Sequence, residues 1–187
     1  MMKLQNIFQK KKKDTRRAMM KEIEEGLEQL PHPIQYMRGV SAGSGADSMD
    51  YVILSPGGIF IVNQQTETGH IQADMEEKTW YLNDTVEIAN PFSRLDEKRE
   101  AVQAGIPSQY HDYFVSIASF LSPSTFDIAP IWRKSSSSRI LIHHQELSEY
   151  IQRNIFISRF QQKTPLLNKE TITMLYDTLS SSLTGHR

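Results

Sequence analysis

The chain has 187 residues, 39% hydrophobic and 23% charged, which is enough to bury one core of ordinary size. It contains no cysteine, which excludes disulfide frameworks, thiol catalysis, iron–sulfur clusters and cysteine zinc sites. The net charge of −1 conceals a polarity: residues 1–21 carry eight basic groups against Asp14 alone, leaving a net −8 on the rest.

The basic groups at the start include Lys10, Lys11, Lys12, Lys13, Arg16 and Arg17. Residues 1–17 read as a basic arm, with 1–13 frayed, and 18–187 as one domain. Such an arm suits DNA or RNA, whose phosphates attract cations regardless of sequence; it serves equally as a solvated, solubilising start. No apolar segment follows the basic residues, so a secretory signal is not expected. The longest apolar runs, Tyr51–Leu54 and Ile59–Val62, are four residues each, too short to span a bilayer. No membrane partner and a cytoplasmic location are therefore expected.

From Asp14 or Thr15, a plausible cap, Ala18, Met19, Ile23, Leu27 and Leu30 recur at helical spacing until Pro31 and Pro33. Ile34–Val40 reads as extended, and Ser41–Asp47, rich in glycine and serine, as a loop. The clearest signal is a hairpin: Asp50–Leu54 and Ile59–Val62 are β-branched and aromatic runs around Ser55-Pro56-Gly57-Gly58, where proline presets φ and glycine supplies positive φ. Short strands are expected at His70–Gln72, Thr79–Leu82 and Val86–Ile88. Asn90-Pro91 then punctuates, before a charged helix over Phe92–Ala104. Two strands, Phe114–Phe120 and Arg139–His143, flank a polar loop ending in Ser135–Ser138. Gln145–Gln152 and Lys169–Leu183 read as helices. The last places Ile172, Leu175, Tyr176, Leu179 and Leu183 on one face, fit for core cover or for a homodimer interface.

The run Met49–Val62 resembles the nuclease-related domain (NERD) family, which is similar to the PD-(D/E)xK nuclease superfamily. Gly69, Trp80, Asn90-Pro91, the strand at Phe114–Phe120 and Leu147–Ile151 follow in the family's order, so the resemblance spans about residues 20–183. It implies an α/β fold with a restriction-endonuclease-like core, a central mixed β-sheet flanked by helices in a single domain. It also implies a metal site: an Asp opening one strand, and an acid and a lysine two residues apart on the next, converge on Mg²⁺ or Mn²⁺ that activates water against a phosphodiester. The spacing of two puts the last pair on one strand face.

Asp50 matches the first carboxylate, but Asn63 stands where the family has its acid and Gln65 where it has its lysine. A neutral amide is a weak magnesium ligand, and Gln65 brings no cation. The resemblance therefore implies an impaired nuclease that binds nucleic acid or a nucleic-acid-processing partner. Two alternatives stand beside it. One is a residual Mg²⁺- or Mn²⁺-dependent DNA or RNA nuclease using Asp50 and a displaced acid; Glu67 is in phase with Asn63, about 13 Å further along an extended strand. The other is a protein-interaction scaffold. The family's opening helix carries a Gly-Glu pair, for which Glu22, Glu24 and Glu25 are candidates, and Arg94 replaces a Gln after Asn-Pro. His143 and His144, being adjacent, point to opposite strand faces and suit structural roles better than one metal ion. Arg133, Lys134 and Arg139 around the serine-rich loop offer a further phosphate contact or a plain hairpin loop. No phosphate loop or serine-hydrolase elbow is present.

Overall fold

The computed structural model describes residues 2–31, 33–40, 49–134, 137–160 and 166–184, with side chains throughout except at 2–13, 40, 49, 50, 183 and 184. The Ser41–Asp47 stretch, and Leu183 as part of the last helix face, therefore lie outside the described side chains.

Helix α1 runs over Met2–Glu28. It begins twelve residues before the Asp14 start expected from periodicity, so residues 2–13 are helical in their backbone and not frayed. The physical reason is composition: the segment holds no glycine or proline, lysine, glutamine, leucine and methionine are good helix formers, and Leu4, Ile7 and Phe8 already stand at helical spacing. Further along, Met19, Ile23 and Leu27, four apart, bury one face.

The hairpin forms as expected, with β2 at Met49–Ser55 and β3 at Gly58–Gln65. Every residue from Tyr51 to Val62 is buried, paired Tyr51↔Val62 through Ser55↔Gly58. In the turn, the Gly57 amide donates to Ser55 Oγ (3.1 Å) and Gly58 takes φ +134°. A central five-stranded sheet grows around this pair. Strand β1 (Gln35–Val40) lies antiparallel to β2. Strands β4 (His70–Gln72), β5 (Thr79–Leu82) and β6 (Val86–Ala89) and helix α2 (Pro91–Ala104) follow β3 in the chain. Then β7 (Phe114–Phe120) returns parallel to β3, and β9 (Arg139–His143) parallel to β7. The order is β1-β2-β3-β7-β9. A parallel return needs a long crossover, and β4–β6 with α2 provide it.

That crossover builds a second, smaller sheet of order β6-β5-β4-β8, in which β8 is Thr125–Asp127. The loop expected between the last two strands thus contains a strand, which borrows its order from β4 through His70↔Thr125 pairing. It also contains a short 3₁₀ turn at Pro130–Arg133. Helix α3 extends over Leu147–Phe160, past the expected end at Gln152, because Ile155 and Ser158 continue the face buried by Leu147 and Ile151. Helix α4 covers Lys169–Thr184, and its Ile172, Leu175 and Leu179 are buried in the core.

The central sheet separates two apolar clusters. One face, with Tyr51, Ile53, Phe60 and Val62, packs with residues of α1 and α3. The other, with Val52, Leu54, Ile59 and Ile61, packs with residues of α2, α4 and the small sheet. Trp80 of β5 joins the parts on this second face. Its ring lies 6.0 Å from Phe92 of α2 and stacks at 6.5 Å on Phe120 of β7, and its Nε1 donates to the Asp74 carbonyl (2.7 Å). Arg139 of β9 pairs with Asp96 and fixes the outer flank of α2. These contacts set where α2 begins. Among the described residues, no helix is long and apolar enough to cross a membrane.

Candidate functional site

Alternation along β3 puts Ile59, Ile61, Asn63 and Gln65 on the face that meets α2. The first two are fully buried and the last two only half-buried, because this face of the strand opens after Ile61 while Gln64 on the opposite face is still buried. Their parallel neighbours on β7 are Ala118 and Phe120. The Gln65 Nε2 donates to Asn63 Oδ1, so the two amides form one unit. The hairpin pairing ends at Tyr51↔Val62, so positions 50 and 63 are the next residues of β2 and β3 beyond the last pair. The backbones of positions 50, 63 and 65 therefore lie at the same end of the hairpin. The Asp50 side chain lies outside those described.

Helix α2 closes this end of the sheet. Asn90 is its cap, with Oδ1 accepting from the Phe92 amide (2.9 Å), and Pro91 fills the first turn. The Asn90 Nδ2 donates to the carbonyls of Met75 (3.1 Å) and Glu77 (2.8 Å), locking the helix start onto the β4–β5 connection. Between β3, β6, α2 and α1 lies a cleft of 530 Å³. Asn63, Gln65 and Glu67 line one side, Glu87 and the α2 start another, and Arg16, Arg94 and Lys98 bring three cations. The positive end of the α2 dipole adds to that field.

A family model described as nuclease-related domain, NERD, matches residues 12–121, more than half of the chain. The chain belongs to the nuclease-related domain family. No curated protein and no solved structure gives a significant match. The matched region of the nuclease-related domain runs from α1 to the end of β7 and contains every residue that lines the cleft.

The expected two-carboxylate metal centre fits this nuclease-related domain poorly. Magnesium takes hard, preferably charged oxygens. At position 63 the available oxygen is a neutral amide's, and it already accepts a hydrogen bond from Gln65. Glu67 does line the same cleft, two residues after β3 ends at Gln65 rather than on a continued strand. Among the described residues no group of three His, Asp or Glu side chains is arranged to hold a metal ion.

The remaining sequence candidates fall in different places. Arg16 reaches the cleft, whereas Arg17 lines an adjoining groove. Lys10, Lys11, Lys12 and Lys13 are on α1 by backbone, with side chains outside those described. Glu22 Oε2 meets His144 Nε2 (2.7 Å), Glu24 accepts from Tyr51 Oη (3.1 Å), and Glu25 pairs with Lys21 (3.5 Å). His143 turns the other way from His144, its Nε2 against the Ser124 carbonyl (2.7 Å) and its Nδ1 by Glu146 (3.3 Å). Arg133 is held by Glu146 (3.2 Å).

Three residues of the site were not evident from the motif: Lys98, Glu87 and Asn90 as a clamp. Lys98 had a signal in its spacing, since it follows Arg94 by four on α2 and so shares its face. Glu87 had none, because it enters from the small sheet.

Proposed function

We propose that this nuclease-related domain binds nucleic acid through its phosphate backbone and does not cut it. What supports the reading is the cleft itself: the hydrogen-bonded amides Asn63 and Gln65, which we match to the family's acid and lysine, share it with Arg16, Arg94 and Lys98 as well as Glu67 and Glu87. A phosphodiester is bound well by arginine and lysine together with neutral donors. Cleavage additionally demands a water activated by a metal or base, and the amide pair activates neither. The basic residues 1–17 add sequence-independent attraction along α1.

The test is fluorescence polarisation of DNA and RNA, single- and double-stranded, at about 50 and 200 mM salt. Binding that weakens steeply with salt and is lost in Arg94→Glu/Lys98→Glu supports the reading. Replacement of Lys10–Lys13 by alanine, which preserves helix propensity, should weaken binding to all sequences alike. Absence of binding at low salt refutes it.

The presence of Glu67 in the same cleft supports a second reading, a residual nuclease using Asp50 and this displaced acid. Plasmid cleavage in Mg²⁺ or Mn²⁺ that disappears in Asp50→Ala would establish it in place of the first. A pull-down that recovers protein and no nucleic acid would instead favour the scaffold.

A further inference from the structure

The cleft is not the end of the cationic surface. Between α1 and the edge strand β1 runs a second groove of 530 Å³, lined by Arg16, Arg17, Met20, Lys21, Glu24 and Arg38. Arg16 is a wall of both cavities, so groove and cleft adjoin.

We infer that this groove is a second phosphate-binding subsite, and that the ligand is a polynucleotide running across α1 from groove to cleft rather than a mononucleotide or strand end held in the cleft. The inference rests on the reading of the cleft given above. Four cations and one carboxylate line the groove, with Lys21 also pairing with Glu25 beside it (3.5 Å). That carboxylate, Glu24, accepts from Tyr51 Oη (3.1 Å) and from Arg38 Nη1 (3.3 Å). It therefore anchors Arg38 at the groove wall, while the Arg38 side chain stays 65% exposed. Met20 and the aliphatic stems of the arginines and lysine give the groove an apolar floor, suited to sugar edges between charged contacts. Lys13, Arg17 and Lys21 follow one another by four residues, so their positions descend one stripe of α1 about 6 Å apart. A single compact anion does not use a row of that kind; a chain of phosphates does.

Labelled single strands of about two, eight and sixteen nucleotides, titrated against the full chain across a salt series, test it. Lys21→Ala/Arg38→Ala removes two exposed cations from the groove, with side chains 77% and 65% exposed, so the fold should persist, as circular dichroism will verify. The expected result is about tenfold weaker binding of the longest strand, with its log–log salt slope reduced by about 1.4 for two lost contacts, and an unchanged dinucleotide. Glu24→Gln keeps the hydrogen-bonding shape, deletes the one negative charge and should tighten the longest strand.

Unchanged affinity and slope in the double variant, while Arg94→Glu/Lys98→Glu abolishes binding, would overturn the groove and leave the cleft reading intact. Failure of the wild type to bind any length would overturn both. Displacement of the longest strand by polyglutamate of equal charge as readily as by unlabelled strand would replace the polynucleotide with an acidic protein.

Discussion

Asn90 is where the fold and the cleft are joined, and its replacement separates two contributions that usually travel together. The side chain is buried, caps α2 through Oδ1 and clamps two carbonyls of the β4–β5 connection through Nδ2. Asn90→Ala forfeits the cap, about 1 kcal/mol. It also leaves the Met75 carbonyl without its donor in a buried setting, about 1–3 kcal/mol. The Glu77 carbonyl borders solvent and loses less. The sum is about 2–4 kcal/mol, equivalent to a fall in Tm of about 5–15 °C for a chain of this size. Asn90→Asp is the discriminating variant, because aspartate is as good a cap as asparagine on most helices. Here it keeps the cap but turns a carboxylate oxygen toward two carbonyls, and a buried charge facing acceptors is costly. Its destabilisation at neutral pH should therefore match or exceed that of alanine. The introduced carboxyl has its folded pKa raised above the unfolded value, so its stability is present at low pH and lost as pH rises through the folded pKa. Relative to wild type at each pH, the aspartate variant should recover on acidification toward about 4. Thermal unfolding followed by circular dichroism measures both effects. An aspartate variant as stable as wild type at pH 7 would refute the clamp and leave only a cap.

Other expected outcomes follow from separate contacts. A Cβ at Gly57 would sit 2.6 Å from the Ile155 nitrogen and 2.7 Å from the Asn154 carbonyl carbon, so Gly57→Ala should cost about 1–3 kcal/mol in urea titration. Gly105→Ala, whose nearest contact is 3.4 Å, should leave stability near wild type; equal effects would refute the close approach of α3. Burial holds the Tyr150 phenol above its ordinary pKa, against an opposing pull from the Asn154 amide, so its neutral form contributes stability present below about pH 10 and lost as pH rises through the raised value. Tyr150→Phe should blunt that alkaline loss, and an unchanged alkaline limb would contradict the assignment. Asn63→Glu/Gln65→Lys should raise Mn²⁺ affinity in calorimetry by supplying a charged ligand at the same hairpin end as position 50. A folded double variant that binds Mn²⁺ no better than wild type would mean that positions 50 and 63 do not converge.

Much of this was legible because it was local. Tyr51–Leu54 and Ile59–Val62 are β-branched or aromatic runs around a turn that only proline and glycine suit, and the strands Phe114–Phe120 and Arg139–His143 have the bounds their patterns indicate. What escaped was non-local or carried by propensity alone. In residues 2–13 the apolar spacing of Leu4, Ile7 and Phe8 is cut off from the stripe that starts at Ala18 by the polar run 9–17, although nothing in that run breaks a helix. Strand β8 has three residues and exists through its pairing with β4. The same division holds at the site. The spacing of Asn63 and Gln65 is written in the strand, whereas the approach of Arg16, Arg94 and Lys98 depends on how α1 and α2 lie against a sheet assembled from distant segments.

The uneven burial of the two faces of β3 has a consequence for what the cleft can tolerate. On the α2 face burial ends at Ile61, and Asn63 and Gln65 are only half-buried, while Val62 and Gln64 on the opposite face stay buried. Side chains at 63 and 65 can therefore be exchanged at less cost to the fold than Ile59 and Ile61 on the same face, which fill the core. The wall of the cleft can then change its chemistry while the hairpin beneath it stays fixed.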